Sequence, residues 1–282
     1  MKKILVLGKG SYIGESFKKY LLGSYKDEYV CDVCDTVGDE WRERSFAGYD
    51  AVYQVAGLAH LKETAELREK YFYINCDLAV MCAEKAKADG VPLFVYISTV
   101  SVYGIYSGVI KKDTPPAPNT YYGESKLKAE GILRGMADEN FRVAIIRPPM
   151  VYGNGCKGNF PTLVKFAEKF SLFPTRKNKR SMLYIDNMSE FVRRLIDKGD
   201  GGLYFPQNSE YVCTSDMVRH IAKHKGRRVW FTGIFNFIIP IMRFRTFQKV
   251  FGDLYYDFHD DDISVVDFEE SIRLSVCDGS KE

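Results

Sequence analysis

A doubly wound parallel α/β sheet with a smaller α/β lobe attached is the fold class this sequence predicts. Three observations predict it. Short apolar runs alternate with segments of helical spacing through the first half of the chain, a glycine turn closes the first of those runs, and the alternation loosens after Tyr152. Lys3 to Leu7 stops at Gly8 and reads as a buried strand. Ile13, Phe17, Tyr20 and Leu21 then recur at helical spacing. Val30 to Val37 holds a second strand and Asp50 to Ala56 a third. A long helix pattern follows (Leu67, Tyr71, Ile74, Leu78, Met81, Cys82) and stops at Gly90 and Pro92. Leu93 to Ser98 is a fourth strand, Thr120 to Ala137 a helix behind the proline-rich loop 115–118, and Arg142 to Arg147 a fifth strand. Beyond the glycines and prolines of 153–161, shorter signals mix at 188–197, 202–205, 215–223 and 228–231. The expected division is 1–155 for the main sheet and 156–282 for the smaller lobe, with elements near 183–197 candidates to pack back on the first.

Composition narrows the function classes. The 282 residues are 46% hydrophobic and 27% charged, with net charge +3 from 40 basic and 37 acidic residues, as in ordinary globular chains. The basic residues are scattered, so no nucleic-acid stripe is expected. Seven cysteines without scaffold spacing point to a reducing, cytoplasmic setting. Ile4 to Leu7 is too short for a signal core. The apolar stretch Trp230 to Met242, broken by Thr232, Gly233, Asn236 and Pro240, falls short of the about 20 residues a membrane span needs. No membrane partner is expected.

Gly8-Lys9-Gly10-Ser11-Tyr12-Ile13-Gly14 lies where the first strand becomes the first helix. Glycine there permits a tight turn and lets backbone approach a pyrophosphate, while the helix N-terminus offers N–H donors and partial positive charge. Such Rossmann-type sites place an acidic residue about 20 positions later on the adenosine ribose. Asp32 and Asp35 both qualify, and an acid there favours NAD over NADP, whose extra phosphate it repels. Either could equally cap a strand end.

Tyr122 and Lys126 stand four apart on one helical face. A cation beside a phenol lowers its pKa, and a tyrosinate can take a proton from a substrate hydroxyl. Ser98-Thr99-Val100-Ser101 closes the fourth strand, where hydroxyls of an open sheet point into the ligand crevice. Cys31 and Cys34 have CxxC spacing, and His220 and His224 stand four apart on a helix. The first pair lies in a strand without a second pair, the second lacks the glutamate of HExxH, and no metal is expected. His60 is assigned to loop polarity or to the crevice with equal weight.

Taken together these residues resemble the extended short-chain dehydrogenase/reductases, the NAD-dependent nucleotide-sugar epimerase/dehydratase group. The ordered matches are the glycine turn, Val55-Ala56-Gly57, Asn75, Ser98 to Gly104, Tyr122 to Lys126, Arg147-Pro148-Pro149-Met150-Val151-Tyr152-Gly153, and Tyr184-Ile185-Asp186-Asn187. The resemblance implies Thr99, Tyr122 and Lys126 as catalytic residues. It implies Gly8, Gly10, Ser11, Tyr12, Ile13, Gly14, Val55, Ala56, Gly57, Asn75, Lys126 and Pro148 around the cofactor. Thr99, Ser101, Tyr122 and Arg180 would meet the substrate. For Arg180 the alternative is a solvated cation in the run 176–180. Three departures stand out: Ser11 where the family has glycine, Gln54 where it often has histidine, and a short C-terminal lobe. Family dehydratases carry an Asp-Glu pair after the strand threonine; Val100 and Ser101 cannot replace it. The resemblance therefore implies a 4-epimerase of a UDP-hexose working through a 4-keto sugar in polysaccharide biosynthesis. An NAD(P)H-dependent 4-keto reductase is the alternative within the family. A dinucleotide-binding sensor without catalysis is the alternative outside it. A homodimer through helices near 65–88 and 120–137 is also implied.

Overall fold

The computed structural model describes residues 1–277 except His60, Lys62 and 235–244. His60 and most of the apolar stretch 230–242 therefore lie outside the described residues. The chain divides into two compact units. One comprises 1–104, 115–148 and 188–206; the other comprises 105–114, 149–187 and 207–282.

The first unit is built on six parallel strands: β1 (Lys2–Leu7), β2 (Tyr29–Cys34), β3 (Ala51–Gln54), β4 (Leu93–Ile97), β6 (Arg142–Ile146) and β10 (Gly202–Tyr204). Their spatial order is β10-β6-β4-β3-β1-β2. The order reverses between β1 and β3, the switch point where open α/β sheets bind ligands at strand C-terminal ends. β1 is buried from Ile4 onward and β3 and β4 throughout, as expected of parallel strands covered on both faces. Phe94, Tyr96, Val52 and Leu5 pack on Ala79, Cys82, Ala83, Ala129 and Leu133. The last five belong to α4 (Leu78–Ala88) and α5 (Tyr121–Gly135).

Two elements depart from the sequence expectation. The second strand ends at Cys34, not Val37, because the Asp35 carboxylate accepts the Val37 N–H at 2.9 Å and turns the chain. The long helix is not continuous. It runs as a 3-10 turn (Ala65–Leu67), α3 (Arg68–Phe72), a π turn (Tyr73–Asp77) and α4. The π turn carries Asn75.

Among the described residues, the second unit contains three two-stranded parallel pairs. They are β5 (Gly108–Ile110) with β12 (Leu254–Tyr256), β7 (Met150–Tyr152) with β9 (Met182–Tyr184), and β8 (Leu172–Pro174) with β11 (Trp230–Thr232). Helices α6 (Asn159–Lys169) and α10 (Phe268–Val276) pack on α8 (Thr214–His224). Most of these short elements escape a reading by periodicity, since three residues carry too little pattern.

Candidate active site

The glycine turn takes its shape from close backbone approach. Gly8 adopts φ +121°, and a Cβ there would lie 2.7 Å from the Ala56 nitrogen. Val55 and Ala56 in turn donate to the Leu7 carbonyl at 3.0 and 2.9 Å. Only glycine lets the ends of β1 and β3 close up in this way. Ser11 caps α1 (Tyr12–Ser24), its Oγ accepting the Gly14 N–H at 3.4 Å. Serine where the family has glycine thus serves as the helix N-cap. The Gly10 N–H donates to Glu15 Oε1 at 3.0 Å, so a carboxylate occupies one donor of the turn. Gly10 is exposed, Tyr12 and Ile13 are half-buried, and Gly14 is buried against the sheet.

The two acids, Asp32 within β2 and Asp35 just after it, part company. Asp32 accepts the Tyr49 hydroxyl at 2.7 Å and pairs with Arg44 at 3.7 Å. Asp35 lines a recess of about 500 Å³ with Lys9, Lys18, Trp41 and Arg44, and Glu15 and Glu40 share that lining.

Thr99, at the C-terminal end of β4, is 7% exposed. Its Oγ1 accepts the Ser101 N–H at 3.1 Å and so caps the 3-10 turn Val100–Tyr103. The Tyr122 phenol faces the Thr99 side chain, whose hydrogen-bonding influence lowers its pKa, and the start of α5 lies against the same turn, where a Cβ on Gly123 would fall 2.6 Å from the Ser101 carbonyl oxygen. Thr120 caps α5 by accepting the Gly123 N–H at 3.0 Å. Glu63 accepts the Tyr121 and Tyr122 N–H groups at 3.1 and 3.0 Å. Sequence reading missed Glu63, because nothing in a loop glutamate announces a helix 58 residues later.

Lys126 is buried at 3% exposure, its Nζ donating to the Ile97 carbonyl at 2.7 Å and lying 4.6 Å from the Tyr96 ring centroid. A Cβ on Gly57 would fall 3.3 Å from that Nζ and 3.2 Å from Asn75 Oδ1. Asn75 Oδ1 accepts the Leu58 N–H at 2.7 Å. Its amide donates to the Leu58 carbonyl and to Ser125 Oγ, both at 3.1 Å. The π turn therefore presents Asn75 to the loop after β3 and to α5 at once. Pro148, buried after β6, accepts the Val100 N–H at 3.1 Å.

The electrostatics reverse one expectation. Burial pushes the Tyr122 phenol up; the Thr99 hydrogen bond opposes this and Tyr71 adds to it. The ammonium expected to lower the phenol is aimed at Ile97. Burial brings Lys126 itself down to about 7, against the opposing pull of Glu130.

A buried polar network supports the strand ends. Arg147 forks onto Glu130, Nε to Oε1 at 3.0 Å and Nη2 to Oε2 at 2.6 Å. Its Nη1 donates to the Tyr103 hydroxyl at 2.9 Å, and Ser98 Oγ donates to Glu130. The Arg147 and Tyr103 of the sequence motifs are thus structural partners.

Arg180 lies in the second unit, 5% exposed, its Nη1 donating to the Gly252 carbonyl at 2.7 Å. The solvated-cation reading of Arg180 therefore fails. Burial lowers its guanidinium to about 10, with Asp253 opposing.

The family model for the NAD dependent epimerase/dehydratase family matches residues 4–205, most of the chain. The chain belongs to that family. It is an enzyme of the extended short-chain dehydrogenase/reductase type, so the non-catalytic reading falls away. Among its relatives, the UDP-glucose 4-epimerase of Vibrio cholerae is 28% identical over 278 residues, spanning 89% of this chain and 83% of the relative. An undecaprenol-diphosphate-linked N-acetylglucosamine 4-epimerase of Escherichia coli O157:H7 is 27% identical over 169 residues, 58% of this chain and 50% of its own length. The fold is similar to that of UDP-glucuronic acid 4-epimerase from Bacillus cereus, solved with NAD, at TM-score 0.73 and 18% identity, covering 97% of this chain and 95% of that one. It is also similar to a dTDP-4-dehydrorhamnose reductase from Clostridium acetobutylicum, at TM-score 0.67 and 19% identity over 82% of each chain. For this family member no described helix is long and apolar enough to cross a membrane.

Proposed function

We propose that this chain is an NAD-dependent 4-epimerase of a nucleotide-sugar, with a UDP-hexose as substrate. The observation that carries the reading is the Tyr122 phenol facing the Thr99 side chain, with Lys126 one turn on along α5, buried and bonded to the Ile97 carbonyl at the end of β4, and with only Val100 and Ser101 after the threonine. The residues at the switch point fit a dinucleotide. Gly10 faces open space, where a Cβ would meet no atom within 4 Å, α1 presents its N-terminus, and Asp35 lines the recess beyond β2. Asp35, rather than the Tyr49-bound Asp32, would then meet the adenosine ribose.

When bound, NAD supplies a reversible hydride acceptor. Thr99 binds and orients the sugar oxygen, and Tyr122 Oη takes the proton from the sugar hydroxyl and later returns it. Lys126 would hold the nicotinamide ribose, and the positive charge that offsets the burial of Tyr122 would arrive with the dinucleotide rather than from the ammonium aimed at Ile97. Ser101 contacts the sugar from the same turn. No group after Thr99 can carry the further acid–base step that a 4,6-elimination requires. Arg180 is assigned to the nucleotide diphosphate, and cytoplasmic polysaccharide synthesis is the setting proposed.

One observation favours a second reading. Lys9, Lys18 and Arg44 line the recess that holds Asp35, and such cations suit the extra phosphate of NADP. A 4-keto sugar reductase using NADPH would need the same catalytic residues. The deciding experiment denatures the purified protein and weighs the released small molecules. Tightly held NAD(H) near one per chain, together with interconversion of UDP-glucose and UDP-galactose or their N-acetylated forms, supports the epimerase. An empty protein that reduces a 4-keto sugar with NADPH overturns it.

A further inference from the structure

His220 and His224 stand one turn apart on α8, and the first turn of α10 brings Glu269 to them. The ligand atoms of the three side chains all lie within 4.8 Å of one another. Both histidines are half-buried. His220 Nδ1 and His224 Nε2 are shielded from solvent and lack a hydrogen-bond partner among the described residues. The nearest approach to the carboxylate, His220 Nδ1 to Glu269 Oε1 at 3.8 Å, is too long for a hydrogen bond. Two shielded ring nitrogens without partners are costly unless something between them accepts their lone pairs. Phe268 packs edge-on against the His220 ring with centroids 5.4 Å apart and so fixes its orientation.

We infer that His220, His224 and Glu269 form a binding site for a divalent transition metal of the zinc type, which clips α8 to α10. Two imidazoles at i and i+4 plus a carboxylate is a set that zinc accepts at bond lengths of about 2.0–2.2 Å. Tetrahedral ligands at those lengths stand about 3.4 Å apart, so the three side chains close by roughly 1 Å, which the exposed Glu269 side chain permits. Imidazole donors select such metals over magnesium or calcium. The fourth position is left to water. Lys223 pairs with Glu269 and Arg273 with Glu270. The Lys223 ammonium must swing away when the metal enters, which its 65% exposed side chain permits. The site lies wholly in the second unit and does not depend on the epimerase reading.

The test uses the full, tag-free chain with ZnCl2 and CoCl2. The expected result is about one zinc per chain by calorimetry, and cobalt bands of a nitrogen–oxygen ligand set without thiolate charge transfer. Zinc should raise the melting temperature, whereas magnesium should not. His220→Ala, His224→Gln and Glu269→Gln should each weaken zinc binding at least about tenfold. Glu269 is exposed, so E269Q keeps the test valid even if a histidine variant misfolds. Absence of zinc binding, binding unchanged in E269Q, or a thiolate signature from any of the seven cysteines would overturn the site.

Discussion

Tyr122 shows how a residue's neighbours decide its chemistry. Burial raises its phenol pKa and the Thr99 hydrogen bond partly offsets this. Proton transfer at working pH therefore requires added positive charge in the site. Tyr122→Phe should fold normally and lose at least about 100-fold in kcat, measured by coupled assay of the epimerised sugar. Lys126 carries a pH signature. Its folded pKa of about 7 lies below the ordinary value of 10.5. Between those values the unfolded chain binds the extra proton, so this site's contribution to stability rises with pH across the window. Below pH 7 the buried ammonium imposes its full penalty. The melting temperature of K126M relative to the native chain, both without dinucleotide, should therefore be most favourable below pH 7. The difference should shrink as pH climbs toward 10.5; a difference that grows with pH would contradict the burial argument. Glu15 places a carboxylate on the Gly10 N–H where a diphosphate is proposed to bind. Removing that charge in E15S should tighten NAD binding by about three- to tenfold, some 0.7–1.4 kcal/mol, as read by fluorescence titration.

Elements held by buried polar networks respond differently from elements held by apolar packing. β4, α5 and β6 meet at Ser98, Glu130 and Arg147, with side-chain exposures of 1% for Glu130 and 5% for Arg147. Removing the carboxylate in E130A strands a buried guanidinium and should cost about 3–5 kcal/mol in urea unfolding. A small loss would mean that water reaches Arg147. The 3-10 turn after Thr99 ends at Gly104, where φ is +67° and a Cβ would sit 2.0 Å from the Ala117 carbonyl oxygen. Helix α5 was legible almost to the residue, Thr120 to Ala137 expected and Tyr121–Gly135 found, because a side-chain cap and apolar spacing both act locally. The π turn was not legible. It inserts one residue to turn Asn75 toward Leu58 and Ser125, and those partners exist only in the folded chain.

At the scale of the molecule, the two units interleave along the chain. Residues 105–114 leave the first unit and 188–206 return to it, with β10 adding the last strand of the large sheet. In the first unit, Tyr73 and Ile132 expose 50% and 40% of their surface on the helical segments proposed to form a dimer. Light scattering should give twice the chain mass, and the double variant Tyr73→Lys, Ile132→Glu should return it to one. A native chain that is already monomeric would contradict the dimer that the family resemblance implies.

The sequence alone determined the doubly wound sheet, the glycine turn at its first strand end, and the placing of Tyr122 and Lys126 on one helical face. Those features repeat over one helical turn or one strand, and their spacing is set by backbone geometry. Tertiary structure alone decided that Asp32 is taken by Tyr49, that Glu63 caps α5, that Arg180 is buried, and that Glu269 meets His220 and His224. Each joins residues far apart in the chain, and such pairings leave no periodic trace. The same holds for the pKa values of Tyr122 and Lys126, because desolvation depends on what surrounds a group rather than on its place in a motif.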